Sequence, residues 1–122
     1  MNAKDYQRFV PLVNNPENAE CAQQFVLTFP NGGDILLSCF GLPGEAGEVV
    51  DLIKKTVFHN KPLDIDHLKK EIGDVLWYLT LLCNSFGFSL EEVFDTNVQK
   101  LTARYPEGFD FNHANNRADG DI

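Results

Sequence analysis

The 122-residue sequence predicts an all-α fold, a bundle of four to five helices, and so short a chain leaves open its completion by association with further copies of itself. Three observations carry the prediction. Apolar residues recur at spacings of three and four along most of the chain, helix-capping residues bound those stretches, and no run of alternating β-branched residues is present.

Tyr6, Phe9, Val10 and Val13 outline a short amphipathic first helix, ended by Asn14-Asn15-Pro16. Pro16 suits the first position of a second short helix containing Ala22, Phe25 and Val26, with Asn15 as its cap. Phe29-Pro30-Asn31-Gly32-Gly33 is a turn. Asp34 then stands where an N-cap belongs, opening a long helix to about Phe58 whose buried stripe is Leu42, Ala46, Val49, Ile53 and Val57. Pro43 falls inside that helix and is expected to kink or restart it, because it lacks a donor and crowds the preceding turn.

After the loop His59-Asn60-Lys61-Pro62, a further helix begins near Asp64. It carries Leu68, Ile72, Val75, Leu79, Leu82 and Phe86 as a seam for a facing helix. Gly87 closes it. Ser89 and Glu92 have the spacing of a capping box, and the helix that follows turns Leu90, Val93, Phe94, Val98 and Leu101 inward before stopping at Tyr105-Pro106. The domain therefore spans residues 1–111, and residues 112–122 form a polar, mobile tail.

A hydrophobic share of 43% supports a packed core, although one of modest size. The formal charge of −8 excludes a nucleic-acid backbone as partner, since that requires clustered Lys and Arg. No apolar run reaches the roughly 18–20 residues of a membrane span. Cys21, Cys39 and Cys83 form no CxxC pair; they read as buried small hydrophobes in a reducing, cytoplasmic compartment.

Two acidic patterns stand apart from this background. Glu45 and Glu48 lie three residues apart on one helix, as do Glu71 and Asp74 on the next. Such neighbours project from one face. Each pair flanks its helix's apolar stripe, so packing the stripes together brings four carboxylates to the border of the core. Like charges about 4 Å apart repel by roughly 4 kcal/mol at an effective dielectric near 20. Several such pairs would consume much of the ~5–15 kcal/mol by which a domain is stable. A hard divalent cation removes the conflict, and magnesium prefers carboxylate and water oxygens. Gly47 and Gly73 lie within the two pairs, where Ala would be better for the helix by about 1 kcal/mol, and leave room for a metal, a substrate or the facing helix. Asp51, Asp64, Asp66, Glu91, Glu92 and Asp95 read as ordinary surface charges, and His59, His67 and His113 as solvent-exposed residues outside the acidic motifs. That separation argues against a carboxylate-bridged redox metal centre, which uses Glu-x-x-His pairs.

Three blocks resemble the MazG family of nucleoside triphosphate pyrophosphohydrolases. They are Gly41 to Lys55, Glu71 to Tyr78, and Asn97 to Leu101 continuing through Arg104 to Phe109. The resemblance spans Leu36 to Phe109, with the family's order and spacing. It implies the all-α pyrophosphatase fold, with Glu45, Glu48, Glu71 and Asp74 as catalytic residues holding magnesium, manganese being able to take its place. Lys54 or Lys55, Tyr78, Asn97 and Lys100 are the implied contacts to phosphates, sugar or base, and Arg104, on the same helix face as Asn97 and Lys100, is a further candidate. The implied reaction is metal-assisted attack of water on the α-phosphorus of a nucleoside or deoxynucleoside triphosphate, giving monophosphate and pyrophosphate. The implied assembly is a homodimer or homotetramer. A non-catalytic nucleotide- or protein-binding member of the same fold is the alternative.

Overall fold

Six helices account for most of the chain in the computed structural model, which describes residues 1–122: α1 (Ala3–Val13), α2 (Asn18–Thr28), α3 (Gly32–Phe58), α4 (Ile65–Phe86), α5 (Leu90–Arg104) and α6 (Phe111–Asn115). The all-α class holds, with one helix more than expected. No single helix is long and apolar enough to cross a membrane.

Local chemistry explains most of the boundaries. Asn2 caps α1, its side chain accepting from the Asp5 amide at 2.9 Å. Asp64 caps α4 by accepting from the His67 amide at 2.9 Å. Gly87 ends α4 at φ 76°, a left-handed conformation that glycine adopts without Cβ strain. Ser89 and Glu92 form the reciprocal capping box, at 3.1 and 2.7 Å.

Four features differ from the sequence expectation. Asn15 does not cap α2 directly; its side chain accepts from Glu17, and the helix starts at Asn18. Asp34 is not an N-cap. Helix α3 begins two residues earlier at Gly32, which places Asp34 in its first turn, where a carboxylate complements the helix dipole. Gly32 is needed there because a Cβ would lie 2.7 Å from the Val26 Cα, where α2 and α3 meet at a bend of 116°. Pro43 neither ends nor restarts α3, which is continuous through it. The residues after Phe111, expected as a tail without structure, contain α6 and an ion pair back to α5.

The main packing unit is the α3–α4 hairpin, with α2 against the start of α3. Phe25, Phe29, Phe86 and Phe88 form a chain of ring contacts at that end, with centroids 4.8–5.8 Å apart. Only Gly32, Ile35 and Ser38 are fully buried. The expected inward faces are only partly covered by their own chain: Leu42 and Val49 of α3, Leu68, Val75 and Leu82 of α4 and Leu90 of α5 are half-buried. Val93, Phe94, Val98 and Leu101 of α5 are exposed, as are Ile53 and Val57 of α3 and Ile72, Leu79 and Phe86 of α4. Cys21 and Cys39 are also exposed and Cys83 is half-buried, so the thiols are not the core hydrophobes the sequence suggested. The accessible surface is 9812 Å². A compact monomer of 13.7 kDa would expose about 6,600 Å². The difference, roughly 3,200 Å², is surface that a closed single-chain bundle would have removed from water.

Candidate active site

The site lies midway along the α3–α4 hairpin, and its geometry begins with a glycine. Gly41 faces Tyr78, and a Cβ on Gly41 would fall 2.2 Å from the Tyr78 ring. That absent side chain allows the two helices their close approach. One turn further along α3 stands Glu45; one turn back along α4 stands Asp74, with Glu71 before it. Ligand oxygens of Glu45, Glu71 and Asp74 all lie within 4.8 Å of one another. Two i,i+3 positions on α4 and one position on α3 thus converge because the helices run antiparallel and share a register.

The electrostatics of the cluster are those of crowded like charges. The Glu45 carboxyl is pushed above the usual carboxylate range, first by its shielding from water, then by the charges of Asp74, Glu71 and Glu48 and by a hydrogen bond with Glu71. Glu71 is mostly covered, and its Oε1 lies 2.7 Å from the His67 Nε2. The donor set is all-oxygen and anionic. It fits a hard divalent cation of the magnesium or manganese type, which would relieve the repulsion that now favours a proton on Glu45.

Of the four carboxylates named from sequence, three are brought together, and Glu48 lies outside the cluster. It is exposed, yet near enough for its charge to raise both Glu45 and Lys55. Gly47 and Gly73 have nothing within 4 Å of where a Cβ would stand, so they are not points of helix contact. Lys54 and Lys55 both pair with Asp51, at 2.9 and 2.5 Å. Asp51, read as an ordinary surface charge, is the anchor of that pair, and the two lysines hold its carboxyl down at about 2. Tyr78 is half-buried and packs edge-on to Trp77 with ring centroids 5.1 Å apart. Asn97 and Lys100 line a surface groove of about 540 Å³ with Phe88 and Val93. Arg104 is engaged by Asp121. Helix α5 makes no extensive packing against α3 or α4, and its polar residues are not among those that converge with the carboxylates.

Sequence reasoning missed Gly41, His67 and Asp121. His67 precedes Glu71 by four residues, a helical-neighbour spacing that was legible. Gly41 carried a weaker signal, since its role depends on the α3–α4 register. Asp121 gave none, lying 17 residues from its partner.

The all-α hairpin, with carboxylates gathered at a water-accessible face, has the architecture and donor chemistry of a candidate divalent-cation site. The chain belongs to the MazG family: residues 33–109 match the MazG nucleotide pyrophosphohydrolase domain. It is also similar to the Gene 37 protein of Mycobacterium phage L5, with 34% identity over 91 residues, covering 66% of this chain and 79% of that one. No solved structure matches.

Proposed function

We propose that this protein hydrolyses a nucleoside or deoxynucleoside triphosphate to the monophosphate and pyrophosphate. The observation that carries the proposal is the convergence of Glu45, Glu71 and Asp74 within 4.8 Å on the family-matched hairpin. Magnesium held by these residues would supply charge neutralisation for the triphosphate and activation of water. A cation held there would offset the crowded negative charge that raises the proton affinity of Glu45. His67 contacts one carboxylate oxygen of Glu71 at 2.7 Å, which would orient the carboxylate and leave its other oxygen able to take a cation. Glu48, outside the cluster and exposed, is the carboxylate left free to accept a proton from the attacking water.

The donors that position the phosphates are Asn97, Lys100 and Arg104 on α5, with Lys54, Lys55 and Tyr78 on the hairpin. Since α5 packs little against its own α3–α4 hairpin, we infer that it meets a carboxylate cluster by lying on the hairpin of a second copy. The surplus of roughly 3,200 Å² per chain, about 6,400 Å² for two chains, lies at the upper end of obligate interfaces, which bury about 2,000–5,000 Å² or more in total. The assembly is accordingly a homodimer or homotetramer with sites shared between chains. The three free thiols suit a cytoplasmic setting.

The test is incubation of purified protein with magnesium and each of the eight common NTPs and dNTPs, with products resolved by ion-exchange chromatography. Monophosphate and pyrophosphate, lost on adding a chelator, are the expected products. Glu48→Gln should lose turnover while keeping nucleotide binding, and Glu45→Gln should lose metal binding as well. Magnesium-dependent binding of a nucleotide without any product would replace the proposal with the non-catalytic alternative.

A further inference from the structure

The last residues of the chain, beyond the family-matched span of 33–109, turn back on α5. Asp110 caps α6 by accepting from the His113 amide at 2.7 Å. Tyr105, Phe109 and Phe111 form two successive ring contacts with centroids 5.4 Å apart, fixing the α5–α6 corner. The chain then runs to Asp121, whose carboxylate accepts from the Arg104 Nε at 2.8 Å and Nη2 at 2.6 Å. The two side chains are only 9% and 15% exposed, in a chain that buries very little else. Around this pair is a cavity of about 420 Å³, with Lys100, His113, Arg117 and Asp119 also on its walls. A protein of net charge −8 thus gathers three of its ten Lys and Arg residues about one pocket, and a carboxylate from its own terminus fills the guanidinium fork.

We propose that this C-terminal strap is a built-in competitor: Asp121 occupies the Lys100–Arg104–Arg117 pocket and must be displaced by a phosphate-bearing ligand before that ligand can bind there. This deepens the hydrolase proposal and takes its ligand class from it. A guanidinium presents the same two-donor fork to a carboxylate and to a phosphate, so the two exclude one another. Arg104, Arg117 and Lys100 together hold the Asp121 carboxyl below the usual carboxylate range, so the plug is fully charged at neutral pH. Apparent affinity for an incoming anion is the intrinsic affinity multiplied by the fraction of chains in which the strap is open. A strap closed in nine chains of ten lowers affinity about tenfold.

Inorganic pyrophosphate is the probe, titrated calorimetrically into the full-length protein with EDTA present so that the carboxylate cluster plays no part. Asp121→Asn should bind it about tenfold more tightly than the wild type, a gain of about 1.4 kcal/mol. Asp121→Glu should remain near the wild type, and adding Arg104→Met to Asp121→Asn should abolish the gain. In the unmodified protein, pyrophosphate should accelerate hydrogen exchange at the Asp121 amide, which donates to the Ala118 carbonyl at 3.1 Å. That readout decides the matter if Asp121→Asn fails to fold. Unchanged or weaker binding by a folded Asp121→Asn, or slower or unaltered exchange at that amide, would overturn the strap. Nucleotide turnover alongside unchanged pyrophosphate binding would overturn the strap alone. Tighter pyrophosphate binding without turnover of any nucleotide would uphold the strap and overturn the hydrolase proposal.

Discussion

Gly41→Ala tests whether the α3–α4 approach that builds the site depends on one missing methyl group. The new Cβ would lie 2.2, 2.3 and 2.6 Å from three atoms of the Tyr78 ring, whereas ordinary contact begins at 3.4 Å. The ring, the helices or both must therefore retreat by about 1.2 Å. Overpacking of this kind destabilises by roughly 1–3 kcal/mol. Against that, replacing a mid-helix glycine by alanine favours the helix by about 1 kcal/mol. The net loss is then about 0–2 kcal/mol, too small to interpret alone. Gly44→Ala supplies the reference, because nothing lies within 4 Å of its Cβ position and only the helix term operates. In urea denaturation of metal-free protein at one fixed concentration, Gly41→Ala should fall below Gly44→Ala by about 1–3 kcal/mol. Adding Tyr78→Ala should remove most of that gap. Because Glu45 is one turn from Gly41, turnover should also fall, by up to about 100-fold for a displacement near 1 Å. Equal stability of Gly41→Ala and Gly44→Ala would refute the reasoning.

Three further outcomes are expected. Glu45 is raised in the fold, so its favourable contribution is complete below the ordinary carboxylate pKa and lost as pH rises through the raised value; magnesium should therefore raise the melting temperature clearly at neutral pH and little near pH 4, and an equal rise at both would argue against the cluster as the cation site. Asp51 is lowered to about 2, so its contribution is present above its usual value and lost as pH falls through about 2; the melting temperature of Asp51→Asn should lie below that of the wild type at neutral pH, and the gap should close over that acid range. Finally, if the surplus surface is an interface, the denaturation midpoint should rise with protein concentration, and a midpoint constant over a hundredfold range would identify a stable monomer.

The parts of the fold legible in the sequence are those written within a few residues. Asp64, Gly87 and the Ser89–Glu92 box act on their own helix ends, and the structure places each as read. The carboxylate cluster was legible because i,i+3 spacing fixes a helix face; Glu48 stayed outside because position beside a stripe does not fix reach across it. Asp34 was displaced as a cap because Gly32 meets Val26 and draws the start of α3 earlier, a tertiary demand absent from the local pattern. The periodicity of α5 was read as an inward face, yet periodicity reports only that a face is apolar, not which chain covers it.

The α4–α5 corner bears on how such covering would be achieved. Only Gly87, Phe88 and Ser89 separate the two helices, and stop and start signals crowd into those three positions. Local bonds at Gly87 and Ser89, with the Phe86–Phe88 ring contact, constrain the direction in which α5 leaves. An arm already aimed before any encounter loses little freedom on docking, so assembly would draw its affinity from apolar contact with a small ordering penalty.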